Sequence, residues 1–221
     1  MTREPEVRLP AEHEMPAPDN EQTAPARRRR SVSARQASTD LALIAAFAAL
    51  IAACSLLPAL YLGGGLVPIT FQTFGVLLAG AVLGARRGFL AVLLYLAVGA
   101  AGFPVFAGGS AGLAPFAGPT AGYLISFPLA AAITGFLVQR LPRRRLATSV
   151  PLILLAGLAG SFTVTHPLGI LGLMWRADLS AQAALLTDLV FWPGDVVKNL
   201  LMALVATAVH RAFPDLLPSR R

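Results

Sequence analysis

The chain has 221 residues, of which 56% are hydrophobic and only 13% are charged, and its mean hydropathy is +0.67. Because a soluble domain carries about 25% charged residues, this composition excludes an ordinary soluble globule and predicts an all-α integral membrane protein. The net charge of +7 does not indicate nucleic-acid binding, since the arginines cluster in short gaps between apolar runs, where they report membrane topology. The single cysteine, Cys54, excludes a disulfide within the chain and a cysteine-based metal cluster.

Residues 1–40 differ from the rest because they are rich in Pro, Glu, Gln, Ser and Arg. This composition predicts a disordered cytoplasmic tail, and its start lacks the charge, short apolar core and cleavage site of a signal peptide. Arg27–Arg30 and Arg35 lie just before the first apolar run. They could bind anionic lipid headgroups, or they could simply hold this end of the chain in the cytoplasm.

The first apolar run, residues 41–60, carries a ladder of small residues at Ala45, Ala49 and Ala53 on one helix face. In lipid, small side chains allow a second helix to approach closely. The approaching helix could belong to this chain or to a separate subunit.

Five further apolar runs follow, and several begin with proline or carry a polar residue near their start. They span residues 68–85, 89–101, 119–139, 150–175 and 189–209. Between the third and fourth, residues 102–119 are rich in Gly and Pro yet keep Phe103, Phe106 and Phe116. Irregular apolar backbone at membrane depth persists where it packs on protein or lines a cavity, so this segment is predicted to be a lid or cavity wall. An interfacial loop anchored by aromatic residues is the alternative.

Basic and non-basic gaps alternate along the chain. The N-terminal tail, Arg86–Arg87, Arg140–Arg145 and the tail at residues 214–221 are basic, whereas the gaps near Gly63 and Gly102 are uncharged and the gap after Arg176 is mixed. The positive-inside rule then predicts six transmembrane helices within residues 41–213, with the N- and C-termini both cytoplasmic.

The last run opens with Pro193, Gly194, Asp195 and, three residues later, Lys198, the only lysine of the chain. Charged groups at membrane depth cost about 3 kcal/mol each, so they are rarely present without a purpose. Asp195 and Lys198 share one helix face and place an acceptor-only carboxylate beside a donor-only ammonium. Such a pair can hold a small ligand that has both donors and acceptors, or it can be an ion pair that only fixes helix packing.

The predicted topology gathers the polar groups at the outer membrane face, and no polar residues continue the path inward. This pattern favours a binding protein over a pore. The sequence shows no Walker-type nucleotide loop, no metal-ligand cluster and no nucleophile–base pair, so it gives no support for an enzyme. His166, which precedes Pro167, could carry a proton, contact ligand or make a local hydrogen bond.

Three blocks of the sequence resemble the BioY family, the biotin-binding S components of energy-coupling-factor (ECF) vitamin transporters. They are residues 68–84, residues 102–124 with the motif GPTAGYL at 118–124, and residues 193–198 with the motif PGDVVK. The likeness covers residues 41–213. Two departures are Ala121, where the family commonly has a second glycine, and the additional N-terminal tail of about 40 residues.

The resemblance implies a multi-pass protein of a bacterial cell membrane that takes up biotin and has no catalytic activity and no cofactor. Its implied partners are biotin, membrane lipid, an ECF T component and ABC-type ATPase subunits, although some family members occur without dedicated ATPases; a homo-oligomer is also possible, and nucleic acid is not expected. We expect Asp195 and Lys198 to bind biotin, with hydrogen bonds from Thr120, Tyr123 and Gln72 and with the rings of Phe103, Phe106 and Phe116 over its apolar part. The face formed by Ala45, Ala49 and Ala53 becomes the expected docking surface for the T component.

Three other functions remain open from the sequence. The chain could be an S component for another vitamin, a secondary carrier driven by an ion gradient, or a structural membrane protein without a ligand.

Overall fold

The computed structural model describes residues 24–60 and 67–217, and in these ranges the regular structure is helical apart from one isolated antiparallel bridge, Leu60 to Ile69. The helical class predicted from the sequence is therefore confirmed for the described residues. They form α1 (Ala24–Leu56), α2 (Gln72–Leu83), α3 (Ala85–Ala100), α4 (Ala114–Ala117), α5 (Ala121–Arg140), α6 (Arg143–Leu146), α7 (Val150–Gly160), α8 (His166–Arg176), α9 (Ala181–Leu189) and α10 (Trp192–Ala212). A 3-10 turn spans Ala107–Gly109, and a π-helical turn at Ser161–Thr165 joins α7 to α8.

Among the described residues, helix length and composition identify three segments able to cross a membrane, Gln36–Leu56, Ala121–Arg140 and Val150–Arg176. A fourth arises if α9 and α10, which meet at a bend of 47°, are taken together. The sequence predicts six spans, and the difference comes mainly from α2 and α3. With 12 and 16 residues, they are shorter than the ~20 residues of a typical span.

α1 begins well before the first apolar run. The sequence predicts a disordered tail through residue 40, whereas residues 24–40 are helical in the structure. Residues 26–40 contain neither Pro nor Gly and are rich in Ala and Arg, and extending an existing helix costs less than nucleating a new one. The predicted disorder of residues 1–23, the tail at 218–221 and the gap around Gly63 lie outside the described residues.

α5 lies at the centre of the helix bundle and packs on α2, α3, α7 and α8, while α10 packs on α2 and α7. Glycine makes the closest of these contacts possible. A Cβ atom added at Gly80 would lie 2.9 Å from the carbonyl carbon of Ala131, and one added at Gly88 would lie 2.7 Å from the Cα of Gly80. Small residues therefore bring α2, α3 and α5 together, as expected for helices that pack in lipid.

The gap predicted at Arg86–Arg87 is shorter than expected. Gly84, with φ of +84°, turns the chain in a single residue, so both arginines lie in the first turn of α3. Arg87 pairs with Asp40 at 2.7 Å and donates to the carbonyl oxygen of Leu216 at 2.9 Å. These contacts bring Asp40 of α1, the α2–α3 turn and the segment around Leu216 together at one end of the bundle.

Candidate ligand-binding site

A cavity of about 410 Å³ lies where the first turns of α2, α5 and α10 meet the irregular segment between α3 and α5. Its lining is mainly apolar, with a few polar side chains. The lining residues are Val67, Pro68, Ile69, Thr70, Gln72, Thr73, Phe106, Ala107, Ser110, Ala114, Pro115, Gly118, Pro119, Thr120, Tyr123, Leu124, Phe127, Thr165, Phe191, Asp195 and Lys198. The segment at residues 102–119 therefore forms part of the cavity wall.

Asp195 and Lys198 lie side by side in the cavity wall. Pro193 stands in the first turn of α10, and the Asp195 amide donates to the Phe191 carbonyl at 2.8 Å, so the carboxylate occupies the start of the helix. Its Oδ1 lies 2.5 Å from Lys198 Nζ, and the two residues are only 5% and 7% exposed. The two charges therefore compensate each other at a depth where an unpaired charge would be costly.

Residues before and at the start of α2 complete the bonding of this pair. Thr73 Oγ1 donates to Asp195 Oδ1 at 3.0 Å, and Lys198 Nζ donates to the Thr70 carbonyl oxygen at 3.0 Å. α2 and α10 are thus linked through the same two groups that face the cavity. A ligand that took over these bonds would change the link between the two helices.

Gln72, predicted to bind ligand, lines the cavity and is 4% exposed. Its Nε2 donates to the hydroxyl of Tyr95 at 2.7 Å. That hydroxyl lies 3.2 Å from Ser55 Oγ on α1 and 3.1 Å from the carbonyl oxygen of Val105 in the cavity wall. Tyr95, which no motif or spacing singled out, therefore orients Gln72 and ties the irregular segment to α1 and α3.

Thr120 and Tyr123 also line the cavity, as their predicted role requires. The hydroxyl proton of each is already used inside the protein, because Thr120 donates to the Pro115 carbonyl at 2.8 Å and Tyr123 donates to Asp188 Oδ1 at 2.7 Å. In this arrangement either hydroxyl offers a ligand an acceptor and no donor. Their contact with a ligand stays a prediction.

The three phenylalanines predicted to cover a ligand occupy different environments. Phe106 lines the cavity, Phe116 packs its ring edge-on at 5.6 Å from that of Phe106, and Phe103 is 60% exposed and outside the lining. Two aromatic residues that the prediction did not include, Phe127 and Phe191, also belong to the lining. Phe127 could have been found from the sequence, since it lies one helical turn after Tyr123 on the same face of α5.

A second buried carboxylate, Asp188 on α9, lies behind the cavity and was not predicted as part of a site. The sequence placed the stretch before it in a polar loop, but Ser180 caps a helix there, accepting from the Ala183 amide at 3.2 Å. Asp188 accepts from Tyr123, from Trp192 Nε1 at 2.8 Å and from His166 Nδ1 at 2.9 Å. His166 therefore makes a buried hydrogen bond to a residue 22 positions along the chain, whereas the hydrogen bond considered from the sequence was a local one.

The small-residue ladder of α1 faces away from the protein. Ala45, Ala49 and Ala53 are exposed, whereas Ala48 and Ile51 on the other side of the helix are buried. In the described part of the chain, this ladder therefore does not pack inside the protein.

Comparison with known proteins places the chain in a family. The model of the BioY family matches residues 25–215. A protein of Rhizobium etli named biotin transporter BioY is 44% identical over 183 residues, which covers 82% of this chain and 97% of that protein. A Rhodobacter capsulatus protein of the same name is 45% identical over 194 residues and covers 82% and 98% of the two chains.

A solved structure agrees with the sequence relatives. The crystal structure of the S-component for biotin from an ECF-type ABC transporter superposes with a TM-score of 0.69 and 28% identity, covering 80% of this chain and 93% of that one. The resemblance seen in the three sequence blocks is thereby confirmed. This chain belongs to the BioY family.

Proposed function

We propose that this protein is the biotin-binding S component of an ECF transporter and mediates biotin uptake. The observation that carries the proposal is the buried Asp195–Lys198 pair in the wall of a cavity of about 410 Å³. A cavity of this size falls within the ~300–1,000 Å³ of small-molecule sites. Its mainly apolar lining with a few convergent polar groups is also typical of such sites.

The chemistry of biotin matches the groups of the cavity. Biotin offers two urea N–H donors, a urea carbonyl, an apolar thioether ring and a carboxylate tail. Asp195 can accept from the N–H groups, Lys198 can donate to the carbonyl or to the tail, and the rings of Phe106, Phe127 and Phe191 offer apolar surface. Hydrogen bonds to ionised groups in a site without water are the strong ones, so these contacts can select a ligand.

The two charges also compensate each other before a ligand binds. Asp195 and Lys198 form an ion pair, and Thr70 and Thr73 complete their bonding. Ligand groups that replace these partners keep both charges compensated, so binding exchanges one set of charge-assisted bonds for another.

The proposal includes a topology of six crossings by α1, α2, α3, α5, α7–α8 and α10, with both termini in the cytoplasm. Support comes from the basic gaps: Arg87 joins Asp40 and Leu216, and Arg211 donates to the Ala147 carbonyl at 3.1 Å. The cationic segments thus meet at one end of the bundle, as the positive-inside rule requires of a cytoplasmic end. Residues 67–71 would complete the short crossing of α2, since irregular backbone is tolerated where it lines a cavity.

Cysteine labelling tests this topology. In a Cys54→Ser background, we expect Gln182→Cys on α9 to react with a membrane-impermeant maleimide in intact cells, and Arg145→Cys in α6 to react only after the cells are opened. Both positions are exposed, so accessibility within the protein does not limit either reaction. The opposite pattern would place the cavity end of the protein in the cytoplasm and contradict the proposed direction of uptake.

The proposed partners are an ECF T component on the exposed ladder of Ala45, Ala49 and Ala53, ATPase subunits that act through it, and lipid around the other apolar faces. A second copy of this chain on the same ladder is the alternative occupant. The proposed location is a bacterial cytoplasmic membrane.

Titration of the detergent-solubilised protein with radiolabelled biotin tests the ligand. We expect saturable binding that unlabelled biotin displaces and that excess thiamine or riboflavin leaves unchanged, because neither competitor combines a urea ring with a carboxylate tail. Displacement by thiamine or riboflavin would instead identify an S component for another vitamin. Uptake that follows an ion gradient and needs no ATPase would support a secondary carrier.

A further inference from the structure

Four ionisable side chains form a continuous buried row from α9 to the cavity: Asp188, His166, Asp195 and Lys198. They are between 0% and 7% exposed. Asp195 and Lys198 line the cavity, whereas Asp188 and His166 lie behind it, outside its lining. The two rear residues therefore act on a ligand only through residues that line the cavity, Asp188 through Tyr123 and His166 through Asp195.

Asp188 has the surroundings of an ionised carboxylate. Three donors converge on it: the hydroxyl of Tyr123 at 2.7 Å, Trp192 Nε1 at 2.8 Å and His166 Nδ1 at 2.9 Å. Indole N–H can only donate, and an ionised carboxylate can only accept. This donor set stabilises the negative charge of Asp188 even though the residue is fully buried.

The surroundings of His166 favour a ring that carries two protons. Nδ1 donates to Asp188, whereas Nε2 has no hydrogen-bond partner among the described residues and lies 3.5 Å from Asp195 Oδ2. A neutral ring protonated at Nδ1 would direct the Nε2 lone pair at a carboxylate, placing two acceptors against each other. An imidazolium ring instead directs an N–H at each of the two carboxylates.

The net charge of the row also favours a charged His166. Besides His166, the ionisable groups in this row are Asp188 from α9 and Asp195 and Lys198 from α10. Tyr123 from α5 joins them through its bond to Asp188. Two carboxylates and one ammonium leave one uncompensated negative charge, and a charged His166 brings the sum to zero. The rings of Phe162 and Trp192, at centroid distances of 4.6 Å and 5.8 Å from the imidazole, add aromatic surface that attracts a cation.

We propose that His166 is an imidazolium whose orientation is fixed by Asp188. His166 positions Asp195 for the ligand, and it compensates the negative charge of Asp195 when Lys198 turns towards the ligand. Lys198 and Thr73 both bond Oδ1 of Asp195, while His166 faces Oδ2. When a ligand draws Lys198 away, the contact with His166 remains. The proposal rests on the proposed function, because it assigns His166 and Asp188 as positioning residues of that same ligand site.

The charge of His166 can be read directly by nitrogen NMR. The chain has three histidines, His13, His166 and His210, so ¹⁵N-histidine labelling gives few signals, which His166→Gln and His210→Gln assign. We expect both ring nitrogens of His166 to have imidazolium shifts at neutral pH. The second proton should be lost in Asp188→Asn and kept in Asp178→Asn, a matched change at an exposed carboxylate. A neutral ring in the wild-type protein would overturn the proposal whether or not any variant folds.

Biotin binding supplies the second measurement. We expect His166→Gln to weaken binding roughly tenfold or more, and to have little further effect in an Asp195→Asn background, because His166 acts through that carboxylate. His210→Gln is the matched control, since His210 is equally buried but bonds the Ala81 carbonyl on α2, far along α10 from the cavity lining. A full additional loss in the Asp195→Asn background would overturn the positioning role. Failure of the wild-type protein to bind biotin would count against the proposed function, while the NMR result would still decide the charge of His166.

Discussion

Replacing Lys198 with alanine is expected to weaken biotin binding by roughly 100-fold or more, because truncating one partner of a buried, hydrogen-bonded charge pair at a binding interface costs about 2–5 kcal/mol of binding free energy. Lys198 is paired with Asp195 at 2.5 Å and is the only lysine of the chain. The variant loses a donor to the ligand and also leaves the Asp195 carboxylate without its nearest cation. Titration of solubilised wild type and Lys198→Ala with labelled biotin measures the loss.

A double variant separates loss of binding from loss of folding. Asp195→Asn with Lys198→Met removes both charges at nearly constant side-chain volume, so we expect thermal stability in detergent to recover relative to Lys198→Ala while biotin binding stays lost. Asp195→Asn alone should weaken binding tenfold or more, since an amide replaces an ionised acceptor. If both single variants bound biotin as the wild type does, the pair would be only a packing feature and the proposed site would be wrong.

Introducing tryptophan at Ala49 is expected to abolish biotin uptake in cells while leaving biotin binding by the purified protein unchanged. Ala49 is exposed in the middle of the ladder on α1, and a large ring there would prevent the close helix approach that small residues allow. Binding should persist because the cavity lining contains no residue of α1. Uptake of labelled biotin and titration of the solubilised variant give the two values.

Two matched tryptophan variants serve as controls for Ala49→Trp. Leu155→Trp introduces the same side chain at a position of α7 that is 60% exposed, and we expect it to retain both uptake and binding. Ala48→Trp, one residue before the ladder position but buried against the core, should impair folding and both activities. Parallel loss of uptake and binding in Ala49→Trp would show that this face packs inside the protein.

The structure agrees best with the sequence where short-range rules apply. The spacing of Asp195 and Lys198 places them on one face of a helix wherever that helix lies, and the pair is found there. The Gly- and Pro-rich composition of residues 102–119 indicated a cavity wall, and seven residues of this segment line the cavity. By contrast, α1 begins 17 residues before the run at Leu41, because local composition does not show how far a helix continues once it has formed.

The aromatic residues show why a list of candidates drawn from a loop is incomplete. Phe103 and Phe106 are three residues apart, yet Phe103 is 60% exposed and Phe106 is 1% exposed. Phe106 packs where Gly99 of α3 has no side chain, and its ring lies edge-on to Tyr95 at 5.5 Å. Which ring turns inward depends on the path of an irregular backbone over α3, and no periodicity of the sequence predicts that path.

The amino-acid sequence by itself determined the helical membrane class, the family and the charged pair, because hydropathy, motif spacing and helical periodicity are properties of neighbouring residues. Only the tertiary structure decided what surrounds that pair. Asp188 meets Tyr123 across 65 residues and His166 across 22, and Lys198 meets Thr70 across 128. These contacts depend on how separate helices cross and how closely their glycines let them approach, and that geometry is set by packing of the whole bundle.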